Sequence, residues 1–243
     1  MKMLIFSRRC AKEILRDPLT LIFSLGFPVV LLLLLSAIQA NIPVDLFEIS
    51  RLTPGICVFG LSFMALFSAT LLAKDRESAF LQRLYTTPLR AVDYILGYGL
   101  PMIPIALGQS VICYLLALLL GLPFSIDILF ALLAIVPISL IFIALGLLFG
   151  SVLSAKQVGG ICGALLTNLT AWLSGVWFDL ELVGGTFKAI ADALPFVHAV
   201  ELEKSILSAS YDGLLPHIAI LLLYIVVITT AAVLLFLRQM KRQ

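Results

Sequence analysis

The residues best suited to chemistry are few and scattered. Four cysteines, Cys10, Cys57, Cys113 and Cys162, show no CxxC or CxxH spacing, and three of them lie inside or beside apolar runs. Thiols placed this way read as small apolar fillers, not as a disulfide framework or a metal site. The two histidines, His198 and His217, have no metal-like spacing. There is no GxxxxGK[ST] loop, because the only Lys-Ser pair, Lys204-Ser205, follows Glu203 and not a glycine. The chain therefore lacks a phosphate loop with which to bind ATP. GxSxG and HExxH are absent as well. The expectation is no catalytic residue, no metal ligand and no cofactor held by this chain.

Groups that could bind a ligand without breaking bonds are more informative. Gly160, Ala164, Asn168, Ala171 and Gly175 form a narrow stripe of small or polar residues at helical spacing, with Thr167 beside it. Phe59, Phe63 and Phe67, followed by Thr70, fall close to one face of another helix. Two readings stand. Small stripes pack helices together, as Gly146-x-x-x-Gly150 and Gly159-x-x-x-Gly163 could do, and phenylalanines commonly face lipid. Alternatively, Thr167, Asn168 and the three phenylalanines line a path for a substrate. An aromatic, charge-free lining suits a hydrophobic or amphiphilic cargo and suits a small ion poorly.

Composition decides what must position these residues. Of 243 residues, 62% are hydrophobic and 12% charged, against about 25% charged in soluble domains. Lipid must be the main solvent. The net charge of +2 gives no signal for nucleic acid. A bilayer core needs about 20 apolar helical residues per crossing. Charge-free stretches supply six such rulers, giving spans at 19–38, 53–73, 98–120, 128–153, 157–178 and 214–237. Ser154-Ala155-Lys156-Gln157 reads as a hairpin turn between the fourth and fifth, and Gly121-Leu122-Pro123 as a turn between the third and fourth. The expected fold is an all-α integral membrane protein of six transmembrane helices in a single domain, 1–243.

Six spans place residues 1–18, 74–93, 154–157 and 238–243 on one side, which then holds 13 of the 16 lysines and arginines. The basic side is cytoplasmic by the positive-inside rule, so both termini are expected inside. The first apolar run is longer than a secretory h-region and no small-x-small site follows it, so no cleavage is expected. No span contains two carboxylates or a basic residue able to form a relay, which counts against ion-coupled carriers and membrane enzymes.

Three segments lie outside the spans. In residues 1–18, Leu4, Ala11, Ile14 and Leu15 alternate with Lys2, Arg8, Arg9, Lys12 and Arg16. This spacing predicts a basic amphipathic helix on the inner membrane surface, stopped at Asp17-Pro18. In 74–93, Phe80, Leu81, Leu84 and Tyr85 share a helical face, flanked by Glu77, Gln82 and Arg83, and Thr86-Thr87-Pro88 ends the helix. That apolar face either packs on the protein's own span ends or docks a cytosolic partner. In 179–213, Phe187, Ile190, Ala191 and Leu194 precede Pro195, and His198 onward is again helical. This predicts an external re-entrant hairpin, with a plain surface loop as the alternative.

The run Arg76-Glu77-Ser78-Ala79-Phe80-Leu81-Gln82-Arg83-Leu84-Tyr85-Thr86-Thr87-Pro88-Leu89 resembles the first cytoplasmic loop of ATP-binding-cassette exporter permeases of the second type. Ser174-Gly175-Val176-Trp177-Phe178, followed by Leu194-Pro195-Phe196-Val197-His198-Ala199-Val200-Glu201, is similar to that family's Ser-Gly-x-Phe-Phe-Pro and Leu-Pro-x-x-His-x-x-Glu. Ala79 and Phe80 stand where Gly-Thr is usual, Gln82 replaces an acid, and Asp179 replaces a common proline. These departures bear on the detail of loop contacts.

The resemblance implies a permease working as a homo- or heterodimer with separate cytosolic ABC ATPase subunits, which hold the ATP and magnesium. It makes 74–93 the coupling helix, with Glu77, Phe80, Leu81, Arg83, Leu84, Tyr85, Thr86 and Pro88 as its contacts. The surface helix joins the same platform, and 154–157 is a second, minor contact. The substrate path would use Phe59, Phe63, Phe67, Thr167 and Asn168, and the external hairpin Pro195, His198 and Glu201. The implied activity is ATP-driven export of a drug- or antibiotic-like amphiphile across the cytoplasmic membrane. Alternatives within the family are export of polysaccharide, lipid-linked glycan or sodium. Outside it stand an ATP-independent carrier and a membrane immunity or interaction protein.

Overall fold

The computed structural model describes residues 2–43, 47–78 and 91–240, and every regular element among them is helical. In lipid, a helix satisfies its own backbone N–H and C=O groups, which long apolar runs cannot do with water. The order begins with α1 (Lys2–Leu15), α2 (Pro18–Leu21), a π-helical turn (Ile22–Gly26) and α3 (Phe27–Gln39). Next come α4 (Ile49–Glu77), α5 (Ala91–Gly99), α6 (Met102–Leu119) and α7 (Asp127–Val152). Then follow α8 (Ala155–Val158), a π segment (Gly159–Leu166) and α9 (Thr167–Leu173). Three short helices, α10 (Leu180–Val183), α11 (Gly185–Asp192) and α12 (Pro195–Leu207), precede the final α13 (Leu214–Met240).

Five stretches are long and apolar enough to cross a membrane: Ile22–Gln39, Ile49–Glu77, Val92–Leu119, Asp127–Val152 and Leu214–Gln239. The chain is thus an all-α, multi-pass membrane protein. The stretch 157–178 is not among the five. Lys156 and Gln157 lie inside the start of its helix, the middle is π-helical, and the helix stops at Leu173. Between α7 and α8 the chain does turn as the sequence suggests. Leu153 is extended, and Ser154 caps α8 in a reciprocal pair with Gln157.

The burial of these helices is uneven. The apolar window of α4 is 83% buried, whereas those of Ile22–Gln39 and Leu214–Gln239 are 17% and 22% buried. α4 is therefore the hub, with α3, α6, α7, α12 and the π segment packed around it. Its closest neighbour is α7. A Cβ on Gly146 would collide with the Ser68 side chain and the Ala65 backbone, and one on Gly150 would sit 2.9 Å from Ala69 Cα. Gly146-x-x-x-Gly150 is thus a true close approach of two backbones. Gly159-x-x-x-Gly163 is not one within this chain: Gly159 faces open space and a Cβ on Gly163 makes only ordinary 3.5 Å contacts with Leu66.

α1 departs from the sequence expectation in which face it buries. Phe6, Cys10 and Ile14 are buried, whereas Leu4 and Leu15 are exposed. Phe6 packs edge-on against Tyr94 and Tyr98, with centroids 5.6 and 4.9 Å away. The helix is thereby clamped onto α5 by aromatic packing.

Within 179–213, the short and largely exposed α10 and α11 lead to α12, which is tucked among other helices. α12 begins with Pro195 at its first turn, where a missing N–H costs nothing, and it is buried against α4, α7 and α13. Gly175, at φ +72°, makes the turn that leads into it.

Candidate functional site

The residues that tie the fold together electrostatically sit at the last turn of α4. Asp75 is 4% exposed. Arg9 Nη2 donates to its Oδ1 at 2.8 Å, Arg9 Nη1 donates to its Oδ2, and Tyr98 Oη donates to Oδ2 at 2.8 Å. Arg9 also reaches Glu13 at 2.6 Å. Partial burial alone would lower the pKa of the Arg9 guanidinium, but the hydrogen bonds and charge of Asp75 hold it above its ordinary value. Glu13 is shifted up by its own partial burial, against the pull of Arg9. Next to them, burial pushes the Cys10 thiol up to about 12, so it stays a packing group.

The next two residues bind different partners. Arg76 donates to the carbonyls of Ser151 and Leu153, the latter at 2.6 Å, and to Gln239 Oε1 at 3.3 Å. A guanidinium there satisfies the orphan carbonyls at the end of α7 and complements its dipole. Glu77 Oε1 accepts from the Ala155 N–H at 2.8 Å, which is the free start of α8. Asp75, Arg76 and Glu77 in succession therefore join α4 to α1, α5, the end of α7, the start of α8 and α13. Of the anticipated coupling residues, Glu77 belongs to this knot. Phe80, Leu81, Arg83, Leu84, Tyr85, Thr86 and Pro88 lie outside the described residues.

A second feature is an aromatic row along α4. Phe59, Phe63 and Phe67 follow one another at centroid distances of 6.1 and 6.3 Å. Phe27 joins at 5.4 Å from Phe63, and Trp177 lies 5.8 Å from Phe59. Phe59 is 5% exposed and so lies beneath these neighbours, while Phe63 and Phe67 are half-buried. Thr167 and Asn168 part company: Thr167 is buried with its hydroxyl on the Cys162 carbonyl at 3.0 Å, and Asn168 is exposed, donating to the Ala164 carbonyl at 2.8 Å. Gly160 and Ala164 are exposed on the same side as Asn168, but Ala171 is buried.

Around α12, the structure joins residues that the sequence leaves apart. His198 and His217 bring their Nδ1 atoms to 2.9 Å, and His198 Nε2 meets the Asp192 carbonyl at 2.8 Å. Glu201 pairs with Lys204 at 2.9 Å. Glu203 is fully buried, and its Oε2 accepts from Tyr114 Oη at 2.7 Å. Its Oε1, like Ser62 Oγ, Gln109 Oε1 and Ser174 Oγ, has no partner among the described residues. Burial pushes the Glu203 carboxyl up to about 8, against the Tyr114 hydrogen bond. Sequence reading missed Asp75, Arg9, Tyr98 and Glu203. The available signal was a lone acid at a span end or inside an apolar helix. No group of three His, Cys, Asp or Glu among the described residues could hold a metal, and the four cysteines are free and buried.

No curated protein matches the chain. The family model described as ABC-2 type transporter matches residues 1–207, which takes in α1 through α12. The chain belongs to the ABC-2 type transporter family, as a membrane-embedded permease of that family.

Proposed function

We propose that this chain is the transmembrane subunit of an ATP-driven exporter that moves hydrophobic or amphiphilic, drug-like molecules across the cytoplasmic membrane. A separate cytosolic ATPase supplies the energy. The chain crosses six times with both termini in the cytoplasm, the fifth crossing being the broken helix around 157–178, and it works as a dimer with a second permease. Residues 74–93 are the coupling segment. The cargo passes along Phe63 and Phe67, above the buried Phe59, with Asn168 facing the path and Thr167 holding the π segment behind it. Pro195, His198 and Glu201 shape the external hairpin.

The observation that carries this reading is the knot at Asp75, Arg76 and Glu77. It lies at the start of the segment that resembles a coupling loop, and it distributes one helix end over five others. A push on that segment would be felt by most of the body at once. Co-expression with the ATPase and purification in mild detergent should yield a stoichiometric complex, whose ATP hydrolysis after reconstitution is stimulated by amphiphiles. A permease that purifies alone and transports without ATP would refute the proposal. For orientation, single cysteines at Lys12 and Ser208, both exposed, in a cysteine-free background should be respectively protected from and open to an impermeant thiol reagent on intact cells.

A further inference from the structure

A cleft of about 160 Å³ opens between the end of α1 and α4, lined among others by Glu13, Arg16, Asp17, Phe67, Thr70 and Lys74. We propose that it receives the anionic head of an amphiphilic cargo, a carboxylate, phosphate or sulfate, while the apolar body lies along the aromatic row. This rests on the exporter reading and adds the chemical class of the cargo.

The charges of the cleft are unequally committed. Glu13 is taken by Arg9 at 2.6 Å, and Asp17 is not free either. Arg16 and Lys74 are exposed and make no side-chain hydrogen bond or ion pair among the described residues. Arg9 is shared between Glu13 and Asp75, so the formal charges around the cleft balance, and the two charged groups with hydrogen-bonding capacity to spare are both cations, Arg16 and Lys74. Phe67, Thr70 and Lys74 follow at i, i+3 and i+7, so they share one face of α4. With a rise of 1.5 Å per residue, Lys74 lies about 10 Å along the helix from Phe67 and about 22 Å from Phe59. The layout is a pair of uncommitted cations at the mouth of a cleft that leads onto a row of rings. The cleft is smaller than the roughly 300–1,000 Å³ that hold a whole drug-sized ligand, so it fits a head group and not an entire cargo. Two exposed cations bind weakly when separate. Converging on one anion beside a low-dielectric wall, they gain in strength.

The test uses the permease–ATPase complex in phosphatidylcholine vesicles, with dodecyl phosphate and dodecyltrimethylammonium as probes that share a tail. For the Arg16→Gln/Lys74→Gln double variant, the concentration of dodecyl phosphate giving half-maximal ATPase stimulation should rise five- to tenfold. That for dodecyltrimethylammonium should stay the same, and Lys74→Arg should behave as wild type. Unfolding temperatures of each single variant control for folding, which two exposed side chains should barely affect. Equal shifts for both probes, or none, overturn the head site and leave the exporter reading standing. If the variant instead loses only a response to added phosphatidylglycerol, the cleft holds a membrane lipid head group and its role as a cargo site is overturned. If no amphiphile stimulates the wild-type complex, the exporter reading falls and the head site falls with it.

Discussion

Asp75 and Glu203 are both buried carboxyl groups, and the fold treats them in opposite ways. Asp75 receives two N–H groups of Arg9 and the Tyr98 hydroxyl. Glu203 receives one hydroxyl, from Tyr114, and its second oxygen has no partner among the described residues. A buried carboxylate with a cation and a second donor fixes the elements that supply them. A buried carboxyl with one donor is kept in place chiefly by remaining neutral. One end of α4 is thus a paired joint between elements, and the α12 end is a polar cluster with spare hydrogen-bonding capacity. Motion delivered at the first would be carried faithfully. The second can exchange partners at little cost.

The largest effect should come from breaking the joint. Asp75→Ala takes away both carboxylate oxygens that receive Arg9 and removes the acceptor of the Tyr98 hydroxyl. Removing one partner of a buried pair costs about 3–5 kcal/mol. Because the Arg9 side chain is 33% exposed, about 2–3 kcal/mol is expected, read as lower thermal stability in detergent. Combining it with Arg9→Met should cost less than the two single changes added together. If Asp75→Ala behaves like an ordinary surface substitution, the contrast between the two carboxyls is lost.

The second test concerns the helix contact that the joint would drive. Gly146→Val pushes a side chain into the Ala65 backbone of α4 and should cost about 2 kcal/mol or more, since overpacking typically costs 1–3 kcal/mol. Gly159→Ala, facing open space, should fall within about 0.5 kcal/mol of wild type. Comparable losses at both sites would mean that Gly159 is covered by another subunit.

Glu203 offers a pH test. Its folded carboxyl, at about 8, lies above the ordinary 4.5. Between these values the folded state keeps a proton that the unfolded state has released. Stability from this group is therefore greatest below the lower value and falls as pH rises to the upper one. Going from about pH 6 to about pH 8 should remove about 2 kcal/mol in the wild type. Glu203→Gln keeps an acceptor for Tyr114 and cannot ionise, so its unfolding profile should be flatter by that amount. Parallel profiles for the two proteins would show that Glu203 is ionised throughout and paired in a way that contradicts the contrast with Asp75.

Hydropathy carried most of the architecture, because membrane-length apolar runs report on lipid directly. It was weakest at 157–178, where Lys156, Gln157 and three glycines soften the helix into a π segment that no count of apolar residues foresees. Gly146 and Gly150 were legible as a packing face because small residues at i and i+4 have few other uses in a long apolar helix. The equally spaced Gly159 and Gly163 carried the same signal without the contact, since spacing cannot say which face meets a neighbour. Arg9, Asp75 and Tyr98 were invisible as a unit. They come from three helices far apart in sequence, and only the folded chain shows that Phe6 docks α1 close enough for Arg9 to reach. His198 and His217 were set aside on spacing for the same reason.

The smallest effect is expected at Asn168, which bears on whether the loosely bonded half of the molecule meets cargo. Its side chain is exposed and, among the described residues, bonds to the Ala164 carbonyl one turn back. Its neighbour on that face, Gly160, has open space above it. Asn168→Leu therefore extends from an exposed position among the described residues, and its folding should change by no more than about 0.5 kcal/mol. Two outcomes then separate. If the amide faces the path, the variant dimerises normally and the ranking of amphiphiles by ATPase stimulation shifts, because one polar contact has been exchanged for an apolar one. If the face packs against a second permease, Leu is too large for a stripe of glycine and alanine, and the dimer fraction falls together with activity toward every substrate. Both quantities can be read from one preparation. A normal dimer with an unchanged ranking would remove Asn168 from the path, and would leave Phe63 and Phe67 as the residues on which the amphiphile reading depends.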